Sequence, residues 1–411
     1  MDTKTFINDS QVIEHIEAIK RSTEGKYFSD IADRAGNQYI DLVMEGGGVV
    51  GIALIGFIYG LEKAGLRFRH VAGTSAGAIT ALFLQSVGRS SEEKAEKLIP
   101  LVADMPLEKF QDGWAITRYL MKLALSNHRV FQILSAFGFF LYRLLTWRHG
   151  LHPGKAFHRW VTETLMKEGV RKWQDITRIA DEPIDFVVTA REDDLPGAEF
   201  EWKPELKMIA IELNLSARVV FPDDVGLFHD NTPSRNPADF LRASMSVPLF
   251  FTPYKIKIQR TPAAVEAWQK HGVNANNIPD SAVFWDGGLV ANFPISIFHR
   301  TSGRPLMPTF GVKLGVDKAL SDVSGLSGLA VSGLKAMRAD SEQEFIRKHP
   351  DYKNIVTTIP THDTHWLNFA MQDEEKLKLF RSGVEAAKQF LAGFSWEEYK
   401  HLRESLAQSI K

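Results

Sequence analysis

Residues 39–84 read YIDLVMEGGGVVGIALIGFIYGLEKAGLRFRHVAGTSAGAITALFL. Tyr39–Met44 is a short, mostly apolar run of strand type, and Gly46-Gly47-Gly48 breaks it. Ile52–Ala64 is apolar enough for a buried helix, and Gly65 supplies its stop. His70–Ala72 reads as the end of a second strand. Gly73-Thr74-Ser75-Ala76-Gly77 follows at once, and Ala78–Leu84 begins the next helix. Two βα units this short predict parallel strands in an α/β sheet.

Gly73-x-Ser75-x-Gly77 between a strand and a helix is the pattern of a nucleophile elbow. The serine occupies a sharp, strained turn. Glycines two residues to either side let backbone pack where a Cβ would clash. The helix that follows aims free N–H groups and positive dipole at developing negative charge. Acyl transfer also needs an oxyanion hole. The Gly46-Gly47-Gly48 turn ends the neighbouring strand, and its N–H groups carry no side chain to block them. Ala76, next after the serine, completes the candidate donor set.

Each half of this signal also has a plainer reading. GGGVVG, Gly46–Gly51, fits the dinucleotide pattern G-x-G-x-x-G. That reading wants an acidic residue at the end of the second strand to hold a ribose. Here the strand ends in His70-Val71-Ala72 and runs into the serine turn. A lone G-x-S-x-G is often only a tight turn. The two together in adjacent βα units favour an acyl-transfer serine.

EGGGVVG followed by GTSAG resembles the patatin-like phospholipase family, which includes the plant patatins and cytosolic phospholipase A2-type enzymes. That family uses a Ser–Asp dyad, with the aspartate in a D-G-[GA] motif far downstream. Asp286-Gly287-Gly288, in FWDGGLVANFP, matches it. A further family block, A-S-x-[AS]-x-P-x-x-F, stands here as Ala243-Ser244-Met245-Ser246-Val247-Pro248-Leu249-Phe250-Phe251. The four motifs run in the family's order from about Asp41 to Pro294. The resemblance implies a patatin-like three-layer α/β fold, with a mostly parallel central sheet flanked by helices. It implies Ser75 and Asp286 as the dyad, and Gly46, Gly47, Gly48 and Ala76 as the oxyanion hole. Gly51, Gly73, Gly77, Gly287 and Gly288 are the remaining motif glycines. The chain departs from the family at Val50, where Arg or Lys often precedes the last glycine of the loop. Backbone donors are untouched by that change, but it removes a side chain that would hold an anionic headgroup.

With 411 residues, 44% hydrophobic and 24% charged, the chain has globular composition and material for a sizeable core. A formal net charge of −1 argues against a general nucleic-acid binder. There is no cysteine, hence no disulfide, thiol catalysis or thiolate metal site. The first residues lack an apolar signal region, and no run of 18 uncharged apolar residues exists. Cytoplasmic location with peripheral membrane contact is the expectation, and secretion without a cleaved signal stays open.

Residues 113–162 contain no Asp or Glu but carry Arg118, Lys122, Arg129, Arg143, Arg148, Lys155 and Arg159. Within them Val130–Trp147 is apolar and aromatic, which suits a lid or an interfacial helix dipping into anionic lipid. A buried helix is the plainer alternative. His149, His152 and His158 match no zinc spacing, so no metal and no cofactor is expected.

The remaining pattern predicts three parts. Residues 1–38 form an N-terminal helical arm with a helix from Ser10 to Ile19. Residues 39–300 form the catalytic domain, and 301–411 a C-terminal strand and helices packed on it. A helix is expected over Ser90–Ala103 with Ser90 or Ser91 as its cap. Ile184–Thr189 reads as a fully buried strand. Asp223–Asn236 reads as a loop, and Pro237–Ser244 as a helix whose Ser244 and following Ser246 serve packing. Val283–Trp285 is a strand that brings Asp286 to a carboxyl edge, where ligands of open α/β sheets sit.

The expected reaction is hydrolysis of carboxylic esters of phospholipids or lysophospholipids through an acyl-serine, with a lipid as the partner of the site. An acyltransferase or a neutral-glyceride lipase would use the same dyad. A non-catalytic lipid-binding protein and a Ser–Asp–His hydrolase with His299, His362 or His365 as base are the rivals. Need for a protein activator is open.

Overall fold

The structure is a computed structural model that describes residues 2–112, 149–181, 184–188, 203–229, 232–289, 291–299, 304–315, 349–362, 364 and 368–409. Residues 113–148 of the basic stretch and His365 lie outside the described residues. The strands are β1 (Ile31–Asp33), β2 (Gln38–Met44), β3 (Leu66–Thr74), β4 (Gly150–His152), β5 (Phe186–Val188), β6 (Leu206–Glu212), β7 (Ala217–Phe221), β8 (Leu249–Phe251), β9 (Tyr254–Lys257), β10 (Ser281–Asp286), β11 (Thr309–Leu314) and β12 (Val356–Ile359). The helices are α1 (Thr3–Ile7), α2 (Ser10–Thr23), α3 (Ile52–Lys63), α4 (Ala76–Ser86), α5 (Ala95–Ala103), α6 (Lys155–Lys167), α7 (Trp173–Ala180), α8 (Pro237–Ser244), α9 (Pro262–Lys270), α10 (Tyr352–Ile355), α11 (Asp373–Gly393) and α12 (Trp396–Ser409). The protein is thus α/β, with a central sheet flanked by helices. Among the described residues, no helix is long and apolar enough to cross a membrane.

The chain divides into two units. The first takes Met1–Met105, Gln174–Ile209 and Gly288–Lys411, the second Pro106–Trp173 and Ala210–Gly287.

In the first unit β12, β11, β2, β3 and the start of β6 lie side by side and parallel. Helices cover this sheet on one face. Phe310 of β11 meets Phe390 and Phe394 edge-on at 4.7 and 4.9 Å. On the other face Val43 and Ala72 pack with Ile295 and Tyr352. The middle of these strands is accordingly apolar, with Leu42, Val43, Val71, Ala72, Phe310 and Val312 fully buried, as a sheet covered on both faces requires.

Helix α3 is buried along almost its whole length, because α11 crosses it with backbone in contact. A Cβ on Gly383 would fall 2.0 Å from the Ala53 carbonyl oxygen, and one on Gly56 2.1 Å from that of Phe380. Small residues at a crossing let two helices approach this closely. The N-terminal residues belong to the same unit. Asp9 pairs with Arg381 through two bonds, Phe6 stacks edge-on with Phe380 at 5.2 Å, and Asp30 takes Trp396 Nε1 at 2.7 Å and Lys400 Nζ at 2.9 Å.

Two local expectations fail. The helix predicted from Ser90 begins at Ala95, with no side-chain cap from Lys94. Ser90 Oγ instead donates to the Ala180 carbonyl. The cap comes from a distant residue, because the Glu62 carboxylate of α3 accepts from the N–H groups of Lys94 and Ala95 at 2.8 and 2.9 Å. Tertiary placement has replaced the local capping signal. The strand predicted as buried over Ile184–Thr189 is the short strand β5, which among the described residues pairs only with β1 and leaves Val187 47% exposed.

In the second unit β10 lies between the end of β6 and β9 and runs antiparallel to both. Asp286 ends β10 opposite Ala210, so it does not lie at the carboxyl edge of a parallel strand, the reason expected for its position. Phe221, Phe228, Phe240 and Phe284 form a ring cluster behind β10, with centroids 4.7 to 6.4 Å apart. The predicted loop Asp223–Asn236 contains short 3-10 turns at Asp223–Leu227 and Thr232–Ser234.

Two outcomes test this packing. Gly383→Ala gains helix propensity but meets backbone, so urea unfolding should show a net loss of about 1–3 kcal/mol. Burial pushes the Glu62 carboxyl up to about 7, against the pull of its two N–H donors. The folded state then holds that proton more tightly than the unfolded chain. Stability should fall by at most about 3 kcal/mol as pH rises from about 4.5 to about 7. Glu62→Gln should lack that component of the slope, read as the difference between the two proteins' unfolding free energies at pH 5 and pH 8.

Candidate active site

In the first unit β3 ends at Thr74, α4 starts at Ala76, and Ser75 makes the whole turn between them. Its backbone sits at φ 54° and ψ −120°, a conformation L-residues rarely adopt. Such strain costs on the order of 1–3 kcal/mol and persists only where the surroundings enforce it. Here they do. A Cβ on Gly73 would fall 2.2 Å from the Gly77 carbonyl carbon, and one on Gly77 2.4 Å from the Met44 carbonyl oxygen. The turn therefore folds onto itself and onto β2 at both glycines. Thr74 is pinned by its pairing with Ile209, and its Oγ1 donates to the Ala291 carbonyl at 2.9 Å. Ser75 is 5% exposed and stands at the N-terminus of α4, whose first N–H groups have no partner within the helix.

The glycine loop is held by two residues without an assigned role in the sequence reading. Glu45, buried directly after β2, accepts from Asn292 Nδ2 at 2.8 Å and from the Leu314 N–H at 2.7 Å. Asn292 Nδ2 also donates to the Gly46 carbonyl at 3.1 Å, and the Gly46 N–H returns to the Asn292 carbonyl at 3.2 Å. The expectation that Gly46 donates to an oxyanion therefore meets a conflict, since its N–H is taken. Among the described residues, no partner is found for the N–H of Gly47 or Gly48. The signal for this clamp was an acid ending an apolar strand just before three glycines, and an Asn shortly after D-G-G.

The glycines are unequal. A Cβ on Gly46 would lie 2.5 Å from Asn292 Oδ1 and 3.0 Å from Ser75 Cβ, which puts the loop against the serine. Gly48 has φ +60° and needs glycine for conformation. Gly47 would meet the end of the Leu314 side chain at 2.5 Å. Gly51 has helical dihedrals, and its Cβ would meet only Ala76 Cβ at 3.7 Å, so neither space nor conformation demands glycine there.

In the second unit Asp286 is 5% exposed, and its N–H donates to the Ser246 carbonyl at 2.9 Å. Gly287 and Gly288 open a 3-10 turn, Gly287–Leu289, that takes the chain off the strand. Ser246 Oγ accepts from Arg242 Nη1 at 2.7 Å. Both Ser244 and Ser246 are fully buried.

The histidines named above have other engagements. His299 Nε2 lies 3.0 Å from Asp351 Oδ2, an oxygen that also has Arg403 Nη1 at 3.2 Å. Those contacts hold the Asp351 carboxyl below its ordinary range despite burial. His299, His349 and Asp351 are close enough together to ligate a cation, but the guanidinium already occupies the carboxylate. His362 Nε2 meets Ser382 Oγ at 2.9 Å. His152 Nδ1 meets the Asp112 carbonyl, and His158 Nε2 the Asp239 carboxylate.

Comparison with known proteins gives one family match, to the model described as patatin-like phospholipase, over residues 42–299. The chain is 26% identical over 358 residues to the uncharacterized protein YqhO of Bacillus subtilis (strain 168), covering 87% of this chain and all of that one. Among solved structures it is similar to VipD from Legionella pneumophila, with TM-score 0.42 and 16% identity over 89% of this chain and 70% of that chain. It is also similar to ExoU of Pseudomonas aeruginosa in its complex with SpcU, with TM-score 0.38 and 16% identity over 88% and 52%. The family match takes in more than half of the chain, including the glycine loop, the serine turn and the D-G-G strand end, and the chain belongs to the patatin-like phospholipase family of lipid hydrolases.

Proposed function

We propose that the protein hydrolyses carboxylic esters of phospholipids or lysophospholipids through an acyl-Ser75 intermediate, with Asp286 as general base. The observation that carries this reading is the enforced φ of 54° at Ser75, beside a glycine loop whose Gly47 and Gly48 N–H groups have no described partner. Strain of this kind belongs to a nucleophile held for reaction.

In the first half-reaction Ser75 Oγ attacks the ester carbonyl carbon and its proton passes to the Asp286 carboxylate. The negative charge on the carbonyl oxygen is taken by the N–H groups of Gly47, Gly48 and Ala76, each donor contributing on the order of 3 kcal/mol. Collapse breaks the ester C–O bond, and the departing alkoxide takes the proton back from Asp286. In the second half a water gives its proton to Asp286 and attacks the acyl carbon, and Ser75 leaves with that proton restored. A carboxylate with a pKa of about 4 in water is a weak base toward an alcohol. Near-complete burial of both Ser75 and Asp286 supports the role, because proton transfer is then uncoupled from bulk water.

The family supports a lipid ester as substrate. Val50, buried and apolar, offers no cation to a headgroup. The acid-free stretch 113–162 is proposed to meet an anionic lipid surface, on the strength of its basic and aromatic composition. This favours peripheral contact with a membrane.

Fatty-acid release from phosphatidylcholine, phosphatidylglycerol and lysophospholipid vesicles tests the reading. Ser75→Ala and Asp286→Asn should each lower turnover by about 10³-fold or more with the fold intact by circular dichroism. Substantial residual turnover in either variant would remove the dyad, and release that ignores lipid charge would remove the membrane role of 113–162. A second test compares two glycines of one loop. Gly46→Ala should lower kcat by about 10²-fold, since the new Cβ displaces the loop against Ser75. Gly51→Ala should stay within a few-fold of wild type, and equal losses in both would contradict the geometry.

A further inference from the structure

Among the described residues of the second unit, Arg242 is the largest charged side chain to be enclosed, at 1% exposed. It stands on α8, and its guanidinium lies 4.7 Å from the Phe251 ring and 5.5 Å from the Tyr254 ring. Gly154, at φ +71°, makes room on another side, since a Cβ there would lie 2.4 Å from Arg242 Nε. The hydrogen bonds run from Nη2 to the carbonyls of Pro153 and Thr252, at 3.1 and 2.9 Å, and from Nη1 to Ser246 Oγ at 2.7 Å. Among the described residues none of these acceptors is a carboxylate. Burial lowers its pKa to about 10, which leaves it charged at neutral pH.

A buried guanidinium with only neutral acceptors is a poor stabilising device. Apolar side chains of similar volume commonly do as well in such a place. What it supplies is direction, because a planar fork fixes several acceptors at once. Two of the three acceptors belong to the residues directly after β4 and β8, the small parallel pair of this unit. The third is Ser246. Its Oγ also donates to the Arg242 carbonyl at 2.9 Å, so side chain and backbone of one residue grip it together. The Ser246 carbonyl in turn receives the Asp286 N–H at 2.9 Å.

We propose that Arg242 is a positioning residue for Asp286, acting through Ser246: its guanidinium fixes the Ser246 peptide, which fixes the backbone of the general base. The proposal rests on the dyad reading of Ser75 and Asp286. It explains why the R-A-S-x-S segment, Arg242–Ser246, carries a serine that touches no reacting atom. Small displacements of a base reduce turnover steeply without changing how substrate is bound, since only the transition state demands the geometry.

The test is steady-state hydrolysis of a soluble short-chain ester by the full chain, with kcat and KM measured separately for Arg242→Lys, Ser246→Ala and Asp286→Asn. Lys keeps the charge and most of the stem but cannot reach three acceptors. Ala at 246 leaves the carbonyl and the Pro153 and Thr252 bonds in place and removes the two bonds of Oγ, to the Arg242 guanidinium and to the Arg242 carbonyl. Both variants should lower kcat about 10- to 100-fold with KM within about twofold of wild type. A merely structural arginine would lower the melting midpoint and leave kcat of the folded fraction unchanged. Wild-type kcat in Ser246→Ala, with Asp286→Asn inactive, would overturn the proposal and leave the dyad standing. Wild-type turnover in Asp286→Asn would instead overturn the dyad reading, and the proposal with it. Should Arg242→Lys fail to fold, Ser246→Ala decides alone.

Discussion

Everything at the candidate site depends on the contact of two backbones at a turn with no room for side chains. Gly73 and Gly77 face each other across Ser75, and Gly77 lies against the end of β2. That contact forces the serine to positive φ and sets it at the head of α4. It also brings the glycine loop that follows β2 against the serine side chain. The strain at Ser75 is sustained because β3, which precedes it, and α4, which follows it, are almost wholly buried and have little freedom to relax.

The loop and the aspartate each have their own fixation. Glu45 and Asn292 hold the glycine loop at Gly46, and among the described residues the next two peptide N–H groups have no partner. Asp286 ends an antiparallel strand, with its N–H on the Ser246 carbonyl. At the loop polar side chains serve backbone groups, and at Asp286 a backbone carbonyl does. That is how a fold orients peptide dipoles without adding side chains to the reacting space.

The fold was legible where pattern and local chemistry agree. Strand β2, helix α3 and the serine turn follow from apolar runs broken by glycines, and α8 from Asn236 before a proline. Legibility failed where a distant group took over a local role. Ser90 looked like a cap, but the Glu62 carboxylate from another helix caps α5. β5 looked buried from its apolar letters, yet among the described residues it pairs only with β1 and leaves Val187 exposed. Gly46 looked like a donor from its place in the glycine triplet, but Asn292 takes its N–H. Gly51 completes the motif pattern without any steric need for glycine.

The amino-acid order alone determined the α/β class, the two βα units, the serine turn between β3 and α4, and the family. These depend on short-range facts: apolar periodicity, glycines at fixed offsets, and four motifs in sequence. Only the tertiary structure decided which glycines are sterically required, that the Gly46 N–H goes to Asn292, and that β10 runs antiparallel. It also decided that Arg242 grips the residue behind Asp286. Such properties arise from contacts between residues far apart in the chain. Their geometry is set by how elements pack, which no local pattern encodes.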